Sequence, residues 1–203
     1  MCSRRGFQVT TEQGASFQCQ VHHIESKEYM EIQSLDFYGR LSRSTNGRFL
    51  LAWRDAWVAG RKGWGQYFLV DADRLVASGK LQRPNDGKVS NNGNFILNDW
   101  MLLKPGTLGG TFYAFAPTGE ALIRKRFRAN LHWSNGISPD GRFAFCSTCT
   151  SNCESVSDKT FVFDIEAKTM LSKLDGRAQE ERPEFSSGEW ILHAGLKSEK
   201  TRS

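Results

Sequence analysis

The densest chemistry in the sequence is the run FCSTCTSNC, which sets Cys146, Cys149 and Cys153 within eight residues. Thiolates at CxxC spacing, with a third cysteine four positions on, can converge on zinc where a strand enters a loop. Zinc needs a fourth ligand, and His132, one strand earlier, is the first choice, ahead of His193, His22, His23 and Cys2. The competing reading is of inert thiols in a Ser/Thr-rich loop, since neither a second CxxC nor an HxxxH pair completes the set. Zinc is therefore the one cofactor the residues suggest, and the reading without any cofactor is preferred. Five cysteines are an odd count, which argues against a disulfide framework.

Cations and aromatics form the second group. In RKRFR, Arg124, Arg126 and Arg128 share a face by two-residue alternation if the run is an outer strand. Such a stripe pairs with an anionic partner or protects a sheet edge from aggregation. Trp57 and Trp64, flanking Arg61 and Lys62, together with Trp133, read either as filling between blades or as a solvent-facing platform suited to a protein hot spot or to stacked bases. Trp53, Trp100 and Trp190 stand closer to the repeat core and read as packing. His22 and His23 read as a loop pair whose side chains point apart. No nucleophile elbow, P-loop, HExxH or dinucleotide fingerprint occurs. Asp36, Asp55, Asp99 and Glu154 are scattered without a periodicity that would pair them, so an enzyme is not expected.

The elements that must position these residues are strands. Fourteen Phe, six Trp and four Tyr sit in short runs separated by Gly, Asn, Asp and Ser, and no 3.6-residue apolar period lasts beyond two turns. Four segments repeat: GRFLL, GNFIL, GRFAF and GEWIL, whose glycines Gly47, Gly93, Gly141 and Gly188 are 46, 48 and 47 residues apart. STN, SNN and SPD precede the first three glycines, chemistry that suits a tight turn entering a buried strand. A second register repeats in YFLVD, FYAFA and TFVFD, each followed by a more polar strand. Four strands in about 47 residues make one propeller blade.

The fourth unit stops before its third strand, and Gly6 to Val21 matches the missing strands in pattern. The expected fold is thus all-β, a small β-propeller of about four blades whose last blade is closed by N- and C-terminal strands. Its units run near 41–84, 87–128, 134–176 and 183–203 plus 5–21, with an insertion near 22–38 and a frayed tail at 197–203. SPDGRFAF and FVFD resemble the WD40, YVTN and TolB-like group of propeller repeats. That resemblance implies architecture and no residue roles, since Val70-Asp71 and Phe163-Asp164 stand where WD40 units carry Trp-Asp.

Alternating strands sort the connections onto two ends, one with short turns and one with long, chemically rich loops where function is expected. A net charge of +5 does not imply wholesale phosphate binding. With no run of about 18 apolar residues and no apolar leader, the chain reads as soluble and cytoplasmic, with no membrane partner. The function expected is a non-enzymatic binding module or scaffold that takes a protein partner through the loop-rich face, as a monomer or homodimer. The alternatives are a nucleic-acid-binding protein using the basic and aromatic surface, and a zinc-dependent protein or enzyme built on the cysteine cluster.

Overall fold

A computed structural model describes residues 4–11, 13–25, 27–55, 63–100, 109–149, 158–176, 184–186 and 189–191. The first seven strands are β1 (Arg4–Thr11), β2 (Ser16–Ile24), β3 (Lys27–Ile32), β4 (Phe37–Arg43), β5 (Phe49–Arg54), β6 (Gly65–Asp71) and β7 (Arg74–Leu81). Each pairs antiparallel with the next, and β1 returns to pair in parallel with β7 through Thr10↔Arg74 and Thr11↔Leu75, closing a barrel. Two four-stranded antiparallel sheets follow. One contains β8 (Pro84–Val89), β9 (Phe95–Asp99), β10 (Gly110–Phe115) and β11 (Ala121–Phe127). The other contains β12 (Asn130–Ile137), β13 (Phe143–Cys149), β14 (Lys159–Asp164) and β15 (Thr169–Asp175). A separate hairpin joins β16 (Glu184–Ser186) to β17 (Glu189–Ile191). Among the described residues the one helical element is a 3-10 turn at Gln33–Leu35.

Side-chain alternation along these strands divides the core into layers. The barrel interior takes every second residue: Val9, Cys19 and Val21, Met30 and Ile32, Phe37 and Leu41, Leu50 and Ala52, Phe68 and Val70. Phe37 and Phe68 meet edge to face there, with ring centres 4.8 Å apart. The opposite faces of β5 and β6 present Leu51, Trp53, Tyr67 and Leu69 to Phe95, Leu97 and Phe115 of the second sheet. That sheet in turn packs Ile96, Phe112 and Ala114 against Ala144, Cys146, Phe161 and Phe163 of the third.

The expected four-blade propeller is not what forms. β1 pairs with β2 and β7 rather than with C-terminal strands, and β16 pairs with β17. The physical reason lies in residues 22–38, expected as an insertion. They complete β2, form β3 and begin β4, and Met30 and Ile32 help fill the interior. The apolar rows of β1 to β3 thereby cover the inner faces of β4 to β6, so the N-terminal segment satisfies the first unit instead of completing the last.

The repeated turns hold the short end together. Ser44, Ser90 and Ser138 each accept, at the backbone carbonyl, the N–H of the glycine three residues on. Those glycines have φ of +73°, +87° and +77°, a region that disfavours side chains. Ser44 Oγ and Ser138 Oγ also accept the N–H of Phe49 and Phe143, both at 2.9 Å. The turns are cross-linked as well: Thr45 Oγ1 and the Asn46 N–H both donate to Asn91 Oδ1 at 2.9 Å. Asn91 N–H then donates to Pro139 O at 2.8 Å.

Candidate aromatic and arginine cleft at the loop end

At the other end, the strand termini enclose a cleft of about 340 Å³. The register builds one wall, because Tyr29, Arg40 and Trp53 are neighbours across β3, β4 and β5 and face away from the barrel interior. Tyr38, two residues before Arg40, stacks on Tyr29 with ring centres 5.4 Å apart and planes within 6°. Behind this pair, His22 meets Tyr38 edge to face at 5.9 Å and holds Glu31 at 2.7 Å. Trp53 is buried against Gly87, where a Cβ would come within 2.7 Å of the indole, so the close approach requires glycine.

Arg83 and Trp100 form the facing wall. Arg83 Nε donates to Asp55 Oδ2 at 3.0 Å, and its guanidinium lies 6.0 Å from the Trp100 ring centre. The backbone locks this pair: Arg83 N–H donates to Asp99 Oδ1 at 2.7 Å, and Trp100 N–H donates to Arg83 O at 3.0 Å. Burial, with the Asp55 charge as a lesser cause, raises the Asp99 carboxyl above the usual carboxylate range against the pull of its backbone donors. Arg54 donates to Asp36 O and to Gln66 Oε1, each at 2.7 Å. The buried indole N–H groups of Trp53 and Trp100 have no acceptor among the described residues.

Behind the cleft runs a polar seam between the first strands of successive units. Asp86 in β8 takes a left-handed backbone, φ 52°, at a bulge between Asn85 and Lys88. Asn135 Nδ2 donates to Asp86 O at 2.7 Å, and Asn98 Nδ2 donates to His132 O at 3.1 Å. Burial raises the Asp86 carboxyl, with Asn98, Arg40 and Lys88 pulling the other way.

The residues singled out from sequence are distributed unevenly. Trp57, Arg61, Lys62 and Cys153 lie outside the described residues, as do Cys2, Glu154 and His193. Trp64 and Trp133 are exposed, at 60% and 47%, and Trp133 packs on His132 at 4.5 Å. Arg124 and Arg126 lie on β11 at a sheet edge, and Arg128 falls just past its end. Arg124 sits 5.9 Å from the Tyr113 ring centre. Cys146 and Cys149, three residues apart on β13, project to opposite faces of the sheet. Cys146 is fully buried in the core between sheets, and that burial pushes its thiol well above the ordinary range. His132 Nδ1 accepts the Ser134 N–H at 3.1 Å. Among the described residues no group of three His, Cys, Asp or Glu could hold a metal ion. His22 and His23 stand on β2 rather than in a loop and point apart, toward Glu31 and Glu28.

Sequence reasoning missed Tyr29, Tyr38, Arg40 and Arg83 as a group, and treated Trp53 and Trp100 as packing alone. The alternation of Tyr29 with Met30 and of Tyr38 with Phe37 was the available signal, since each pair puts one ring inside and one outside.

A larger recess of about 840 Å³ opens at the barrel's turn end over Phe7, Val21 and Leu50. Its rim cations are already matched. Glu28 holds Arg43 at 2.6 Å and His23 at 3.3 Å, while Asp71 takes Arg48 through two hydrogen bonds of 2.6 and 2.7 Å.

No helix among the described residues is long and apolar enough to cross a membrane. No family model matches the chain, and no curated protein matches it. The WD40, YVTN and TolB-like resemblance thus rests on its short motifs. Among solved structures, the chain is similar to a eukaryotic initiation factor at 12% identity and TM-score 0.48, covering 85% of this chain and 43% of that one. It is similar to hydrazine synthase of Kuenenia stuttgartiensis at 13% identity and TM-score 0.43, covering 84% and 55%. It is also similar to the Dos1 propeller at 13% identity and TM-score 0.45, covering 77% and 44%. The chain spans about half the length of these structures.

Proposed function

We propose that this chain is a non-enzymatic binding module that docks a protein partner through the loop end. One observation carries the reading: a stacked Tyr29–Tyr38 pair, two tryptophans and three arginines converge on a single cleft. Tyr, Trp and Arg are the residue types that dominate protein hot spots, because each offers a large, stiff contact surface with a polar tip. The supports behind them are rigid, namely strand register for Tyr29, Arg40 and Trp53 and paired backbone hydrogen bonds for Arg83 and Trp100. Sites mounted in this way are preorganised, so little side-chain entropy is lost on docking.

Photo-crosslinking from a benzoylphenylalanine at position 38, in cell extract, tests the reading against the same group at position 72 on the turn end. A discrete protein adduct is expected from position 38 and not from position 72. Equal or reversed yields would place docking elsewhere. With the crosslinked partner in hand, Tyr38→Ala is expected to weaken its binding roughly tenfold, the effect of about 1.4 kcal/mol.

A further inference from the structure

We propose that the loop-end cleft recognises an acidic extended segment of its partner, with Arg40, Arg54 and Arg83 taking its carboxylates. This rests on the protein-docking reading above and names the chemistry of the partner.

Charge comes first. Among the described residues lining the cleft, three are arginines and one, Asp55, is a carboxylate. Arg83 is matched by Asp55, whereas Arg54 is held by a backbone carbonyl and a side-chain amide, both neutral. Arg40 is exposed and its side chain makes no hydrogen bond among the described residues; it feels Asp86, whose carboxyl is buried and raised. Asp99 faces the same wall, with its charge disfavoured by burial and its oxygen taken by the Arg83 N–H. The barrel mouth offers the contrast, since Arg43 and Arg48 there each have a carboxylate in contact.

Donors point the same way. Guanidinium groups favour carboxylates because the planar fork matches both oxygens. A nucleic acid fits less well. Tracking a phosphodiester backbone takes a run of cations along a groove, while here the guanidiniums ring one small cleft that includes Asp55 and no described lysine.

Selection of dodecapeptides from a random library on the full chain, followed by anisotropy titration of the labelled winners, tests the proposal. The expected winners carry an excess of Asp and Glu. Arg40→Ala and Arg54→Ala are each expected to weaken them about tenfold. Arg48→Ala at the turn end is expected to change nothing, and thermal melts verify that each variant folds. Winners without acidic excess that still lose binding in Tyr38→Ala would overturn the acidic-segment proposal and leave docking at this cleft standing. No winners, or winners indifferent to both Tyr38→Ala and Arg40→Ala, would sink both. An oligouridine 20-mer that binds more tightly than any winner, in an Arg40-dependent way, would replace the acidic segment with nucleic acid.

Discussion

Asp86 shows how a single residue carries the strain of the inner seam. Its left-handed backbone suits Asp and Asn, and its carboxyl is raised by burial. A carboxyl raised on folding binds its proton more tightly in the native state than in the unfolded chain. Stability therefore falls as pH rises from the unfolded carboxyl's range through the raised native value. Asp86→Asn keeps the shape and the backbone preference while removing the charge. Its melting temperature is expected to exceed that of the parent at pH 7 by about 2–4 °C, with the gain shrinking as pH falls toward 4. Equal midpoints at pH 7 would show that Arg40 and Lys88 already offset the burial. At this scale sequence reading was weakest. The CxxC spacing of Cys146 and Cys149 is visible in one dimension, but strand alternation sends the two thiols apart, and only the pairing of β13 shows which one enters the core.

Among elements, the turn ladder at the short end is the part most legible from sequence. Ser44, Ser90 and Ser138 with their glycines state the turn chemistry outright, and the structure adds that consecutive turns bond to one another through Asn91. Asn91→Ala removes the acceptor shared by Thr45 and Asn46, and is expected to cost about 1 kcal/mol, read as a lowered midpoint in urea unfolding with unchanged slope. A change in slope instead would mean that the units unfold separately once the link is cut. The polar fourth strand of each unit was legible for a related reason: an edge strand such as β11 must carry charge to avoid pairing with another chain, and Arg124 and Arg126 supply it. The aromatic cleft was not legible as a unit, since its members come from β3, β4, β5, β8 and the end of β9, and no spacing in the chain marks their meeting.

For the whole molecule, the closure of β1 on β7 separates the barrel from the propeller that the repeats suggest. Thr10 and Arg74 are register partners, so the double replacement Thr10→Cys, Arg74→Cys is expected to form a disulfide on oxidation. The oxidised protein should run faster on a non-reducing gel and melt higher than its reduced form. No intramolecular bond would mean that β1 closes on other strands. The all-β class, the four-strand rhythm and the sorting of turns and loops to two ends all followed from the sequence by itself, because alternation, turn residues and repeat length are local properties written along the chain. Closure is not local. Any strand with one apolar row can cover any exposed apolar face. Which one does so depended on whether residues 22–38 added strands, and only the tertiary structure, by burying Met30 and Ile32 beside Phe37 and Leu50, decided it.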